Sequence, residues 1–277
     1  MIQLSGASYQ QNDNWSPGSV ELMIVQEMNQ SPVVYNFSSL NELSQEIQLR
    51  KQILISASKL HMSNAKFSVF AKSYCNSAYW ERTTKGGFRL REGISPSAAI
   101  QDIYTNSDQY GFECATAMLI IFYHAILTLV GEELFNQLFE NIYLYSWHAD
   151  ADLGLELIET EYFLPGDVVY FKNPDVSPQT PYWRGENAVV MGNGKFFGHG
   201  IGVLTADEMI NSLNIRRRTG SNQSAFLTNT VTRPTMKAFS NFQRAFVKKQ
   251  ALTVVHHNID SISLFYYSQL LKGIQEN

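Results

Sequence analysis

Between Glu113 and Val130 the chain runs apolar, and from Met118 onward little more than His124 and Thr128 interrupts it. A helix that is hydrophobic almost all round has to be covered on most sides, so this stretch predicts a central helix with other elements packed around it. It is too short to span a bilayer. Gly131 ends it, and the polar segment Asn106 to Gln109 precedes it. Cys114 therefore falls in the first turn. Backbone N–H groups there lack intrahelical partners and the helix dipole is positive, which favours a thiolate, the nucleophilic form of cysteine. The plain alternative is a small buried core cysteine.

The rest of the chain reads as helices first, strands after, then one more helix, an α+β pattern. Residues 1 to about 37 read as irregular, with one apolar helical patch at Leu22 to Met28. Ser39 and Glu42 form a capping box that opens a long helix ending before His61. Trp80–Thr83 and Gly87–Leu90 flank a hairpin or extended loop, and Ser95-Pro96 starts a short helix. Leu134, Phe135, Leu138 and Phe139 mark an amphipathic helix. Strand signals follow at Ile142–Tyr145, Val168–Phe171, Asn187–Met191, Lys195–His199 and Ala225–Thr232. Thr205 and Glu208 form a second capping box. The expected organisation is one catalytic domain over 1–245 and a C-terminal extension over 246–277. With 44% hydrophobic and 17% charged residues there is ample core for it. The formal charge of −4 argues against a nucleic-acid partner. The N-terminus carries no secretory signal pattern, and Cys75 and Cys114 read as free thiols.

Asn193-Gly194 is a strong hairpin signal. A two-residue turn there sets His199 opposite Ala188, with Glu186 two residues further on and on the same face. The two are then diagonal neighbours, near enough to share a third partner. A cysteine at a helix start, a histidine and a glutamate together make a nucleophile with its base and acid. A helix that carries the cysteine and packs on strands that carry the base is the papain-like layout. An exposed His–Glu surface pair is the bland counterpart. His124 lies about three helical turns beyond Cys114, out of reach of the sulfur. His61 ends a helix, His148 sits beside Trp147 in a loop, and Cys75 reads as structural. No His/Cys spacing suggests a metal site, and no cofactor is expected.

Four ordered segments carry a resemblance: Tyr110–Ala117, Tyr170–Pro174, Trp183–Asn187 and Phe197–Gly202. Asn64–Phe67 and Thr232-Arg233 add to it. They resemble the Bacillus spore transglutaminase family, the protein-glutamine γ-glutamyltransferases of sporulating cells. The resemblance implies Cys114 as nucleophile, Glu186 and His199 as its partners, and Glu113 as a further candidate. It implies a calcium-independent, minimal papain-like core that cross-links spore-coat proteins by acyl transfer from glutamine to lysine. The location it implies is the mother-cell cytoplasm and then the spore coat. The family's chains are expected to end near residue 245, which would make 246–277 an addition. Trp183, Trp147 and Phe67 are candidate apolar walls of a narrow substrate channel that keeps water from the intermediate. Ordinary aromatic packing is the other reading of these three. A papain-like amidase or peptidase would use the same residues with water as acceptor. A non-catalytic coat protein on an enzyme fold is a third class.

Overall fold

The apolar run forms helix α4, Cys114–Val130, in a computed structural model that describes residues 1–9, 15–235, 254–257 and 260–263. Every residue from Cys114 to Leu127 is buried. The cover comes from three helices and a sheet. Helix α2 (Leu40–Met62) lies along α4, α3 (Pro96–Thr105) and α5 (Glu132–Leu138) pack on it, and α1 (Val20–Gln30) backs α2. Helix α2 runs past His61, and the N-terminal stretch read as irregular contributes α1 and three short strands, of which Ile2–Leu4 and Tyr35–Phe37 pair in parallel and Ala7-Ser8 pairs antiparallel with the first. Ser39, Ser95 and Thr205 each cap a helix N-terminus through a side-chain oxygen, as their spacing predicts.

The sheet is antiparallel throughout. Its strands are β1 (Leu155–Glu159), β2 (Val168–Lys172), β3 (Gly185–Gly192), β4 (Lys195–Gly198), β5 (Gly202–Thr205) and β6 (Phe226–Pro234), in the order β5-β4-β3-β2-β6-β1. One face meets α4. The other is covered by α6 (Ala206–Asn214), whose Met209 and Leu213 pack on Val169, Phe171, Ala188, Val190 and Phe196. Helices on one side, an antiparallel sheet and a helix on the far side make the expected α+β architecture. A buried ion cluster ties the layers together. Asp167, fully buried before β2, binds Arg50 of α2 at 2.9 Å and Arg233 of β6 at 2.7 Å.

The β3–β4 hairpin corrects the expected register. Asn193 and Gly194 both have positive φ, as a tight Asn-Gly turn requires. Gly192 pairs with Lys195, but a bulge follows and Ala188 pairs with Gly198 rather than with His199. The slip moves each later residue of one strand to the other face. Glu186 thus shares its face with Ala188 and Gly198, and not with His199 as the two-residue turn predicts.

Two short strands frame the start of α4. Lys66-Phe67 pairs in parallel with Gly111-Phe112, which leads straight into Glu113 and Cys114. No helix among the described residues is long and apolar enough to cross a membrane. The chain divides into a unit Met1–Met236 and a unit Lys237–Asn277. Within the second, the described residues are an antiparallel pair, β7 (Val254–His257) and β8 (Asp260–Ser263). The expected extension over 246–277 lies otherwise outside the described residues.

Candidate active site

Cys114 is the first residue of α4, and Glu113 is its N-cap. The Glu113 carboxylate accepts from the N–H of Ala115 at 3.1 Å and of Thr116 at 3.0 Å, and from the Thr116 hydroxyl at 3.2 Å. One of its oxygens lies 3.5 Å from Cys114 Sγ. The helix-start donors that would favour a thiolate are therefore engaged by a carboxylate. Cys114 is only 7% exposed. Burial, Glu186 and Glu113 push its thiol pKa well above the ordinary range, against the pull of the backbone and side-chain amides of Asn187. This reverses the expectation drawn from helix position alone: desolvation and two carboxylates outweigh the dipole, and the sulfur needs a base to ionise.

Asn187 supplies what the sequence reading missed. Its Nδ2 lies 3.4 Å from Cys114 Sγ. The available signal was its place beside Glu186 in the Trp183–Asn187 segment that carries the family resemblance.

Glu186 is fully buried. Neither oxygen has a hydrogen-bond partner of good geometry. Burial and the facing Glu113 push its pKa well above the usual carboxylate range, and Cys114 and the Arg216 guanidinium pull it back. A carboxyl so held keeps its proton at a pH where an ordinary glutamate has lost it. The close approach of β4 fixes its position: a Cβ on Gly198 would stand 2.9 Å from Glu186 Cγ and Oε1.

His199 stands apart. It is 4% exposed, its ring is stacked on Phe112 at 4.7 Å, and its Nε2 has no partner. Burial lowers its pKa to about 4, partly offset by the Lys66 and Phe112 backbone. It lines a cavity of about 250 Å³ with His61, Lys66 and Phe67. Cys114, Glu113 and Asn187 line a different one of about 650 Å³, together with Phe67, Trp147 and Tyr170. Phe67 is common to both. Of the expected channel walls, Phe67 and Trp147 line the Cys114 cavity. Trp183 does not; it stacks on Phe67 with centroids 5.1 Å apart and packs against the α6 side of the sheet. The neighbouring Tyr182 and Arg184 take its place on the cavity surface.

Of the remaining candidates, His124 is buried with Nδ1 2.7 Å from Ser56 Oγ. His61 packs edge-on against Phe197. Cys75 and Cys114 are both free, and burial pushes the Cys75 thiol up to about 11, which leaves it unreactive at neutral pH.

A cysteine at the start of a central helix, facing an antiparallel sheet and touched by a carboxylate and an amide, defines a papain-like enzyme core of the acyl-transferring kind. The comparisons narrow this. The sequence profile for protein-glutamine gamma-glutamyltransferase matches residues 1–243, and the chain belongs to that family. A protein-glutamine gamma-glutamyltransferase of Halalkalibacterium halodurans is 44% identical over 99% of this chain and 98% of its own. One from Bacillus cereus (strain B4264) is 47% identical over 83% of each. A solved structure, the transglutaminase from Geobacillus stearothermophilus without its C-terminal extension, superposes with a TM-score of 0.71. It shares 48% identity, over 74% of this chain and 98% of that one. The stretch beyond 245 is not an addition peculiar to this chain, because the alignment with the H. halodurans protein runs through it.

Proposed function

We propose that this acyltransferase joins proteins through ε-(γ-glutamyl)lysine isopeptide bonds, by way of a thioester on Cys114. The observation that carries the reading is the sulfur itself, lining a 650 Å³ cavity with the Asn187 amide at 3.4 Å and the Glu113 carboxylate at 3.5 Å. Glu186 takes the thiol proton. The thiolate attacks the γ-carbonyl carbon of a glutamine side chain, the C–N bond breaks, and Glu186 returns the proton to the departing ammonia. A neutral lysine amine then attacks the thioester. Its proton passes to Glu186 and on to the departing sulfur as the C–S bond breaks, and the isopeptide bond remains. Asn187 Nδ2 and the Cys114 N–H at the helix start are the donors that meet the developing oxyanion. Glu186 takes the shuttle role in preference to Glu113, whose oxygens cap α4, because both of its own oxygens are free of hydrogen bonds. Phe67 and Trp147 keep water from the thioester, so that amine and not water is the acceptor.

The test is incorporation of a labelled primary amine into a glutamine-rich protein. Wild type should label it with or without EDTA, and Cys114→Ala should not. Hydrolysis without incorporation would make the protein an amidase instead. The resemblance to the spore enzymes further supports coat proteins as substrates, with the enzyme passing from the mother-cell cytoplasm to the coat. Immunogold label confined to the spore core would overturn that placement.

A further inference from the structure

The surface of the Cys114 cavity carries three charged side chains: Glu113, Lys172 and Arg184. Glu113 is committed to the cap of α4. Lys172 and Arg184 are exposed, and neither enters an ion pair among the described residues. Their position follows from the sheet. Along β2, Val168, Tyr170 and Lys172 share the face that lines the cavity, while Val169 and Phe171 belong to the core on the α6 side. Tyr170 pairs with Asn187, the residue that touches Cys114 Sγ, and Lys172 pairs with Gly185, one strand repeat or about 7 Å further on. Arg184 directly precedes Gly185, and its carbonyl accepts from Asn173 N at 2.8 Å, which keeps the two chain segments side by side. Both cations thus stand at the same end of the cavity. Nearby carboxylates are engaged elsewhere or lie off it. Asp175 binds Arg218 at 3.1 Å and the Ser221 hydroxyl at 2.8 Å. Strand β1 gives the cavity Leu157 but neither of its two glutamates.

We propose that Lys172 and Arg184 are specificity-determining residues for the acyl donor, selecting glutamines that have an aspartate or glutamate one or two residues away in the donor chain. The proposal rests on Cys114 receiving the acyl group, as the proposed reaction requires. An extended chain advances about 3.4 Å per residue, so a donor whose glutamine reaches Cys114 sets its near neighbours within reach of side chains about 7 Å along the sheet. Two unpaired cations there attract a carboxylate, repel an ammonium and act already on encounter. Exposed charge pairs are individually weak and are screened by salt, which sets both the size of the effect and its signature.

The measurement is kcat/KM for ammonia release from glutamine peptides that differ only beside the glutamine, where they carry glutamate, serine or lysine, with methylamine fixed as acceptor. Ammonia leaves before the acceptor attacks, and each protein serves as its own reference, so a general loss of activity cancels in the ratios. At low salt wild type should prefer the glutamate peptide over the serine one by about tenfold and disfavour the lysine one by a similar factor. At about 1 M salt, where the Debye length is about 3 Å, both ratios should fall toward one. Lys172→Met and Arg184→Met should each remove part of the preference. Lys172→Glu combined with Arg184→Glu should invert it, so that the lysine peptide becomes the better donor. Ratios near one in wild type would overturn the proposal, as would a glutamate preference that survives high salt or the double charge reversal. Absence of ammonia release from every peptide would overturn the transfer reaction itself, and the selection with it.

Discussion

At Gly198 the site has no room for a side chain. The glycine is not in a left-handed conformation, so alanine suits the backbone there, yet its Cβ would lie 2.9 Å from the Glu186 carboxyl end. The carboxyl is the part that can move, and it sits in a buried place with little slack. Gly198→Ala should therefore still fold, with a melting temperature lowered by the overpacking, while kcat/KM for amine incorporation falls by about 100-fold, the scale of a displaced reacting group. Unchanged kcat/KM would mean that Glu186 has no positional demand. The same scale explains why Glu113 looks like a second acid in the sequence. A carboxylate beside the cysteine is visible there, whereas its hydrogen bonds to Ala115 and Thr116, which make it a helix cap, exist only once α4 has formed.

Helices α2, α3 and α6 are legible because capping is a local event: a serine or threonine oxygen meets an amide two or three residues on, whatever surrounds it. The strands at the sheet edges are not. In β1, Leu155–Glu159, burial does not alternate, and Leu157 lies 71% exposed against the cavity mouth, so the period of two that marks a strand is missing. The β3–β4 hairpin is legible as a hairpin but not in its register, because a bulge costs one residue and moves Glu186 to the other face. Nor does the sequence reveal what joins the elements into layers. Asp167 bridges Arg50 on α2 and Arg233 on β6 from a fully buried position, and Leu164 N completes its shell at 2.9 Å. Asp167→Asn preserves shape but removes the ion-pair partner of Arg233 and leaves Arg50 paired with Glu46 alone. Removing one partner of a buried ion pair costs about 3 kcal/mol or more, so the urea midpoint should fall by an equivalent amount. A loss below about 1 kcal/mol would show that the cluster is solvated enough to be dispensable.

Across the whole molecule, stability should depend on acidity through two histidines that no charged partner supports. His124 is buried between α2 and α3, and His199 behind Phe112; desolvation is the leading cause that lowers each pKa from 6.5 to about 4. Such groups are neutral in the folded state and take up protons on unfolding. The unfolded chain binds more protons than the native one between pH 6.5 and about 4, so stability falls as pH drops through that window. Each histidine contributes on the order of 2–3 kcal/mol across it. Glu186 acts with the opposite sign: its folded pKa is raised, so protonation favours the native state and partly offsets the loss. Comparing variants that all retain Glu186 removes that term. Urea unfolding at pH 7 and at pH 4.5 should show wild type losing several kcal/mol, and His124→Gln with His199→Gln losing clearly less, whatever their starting stability. Parallel losses in both proteins would place the acid sensitivity on the carboxylates instead, with the two histidines free to charge inside the fold.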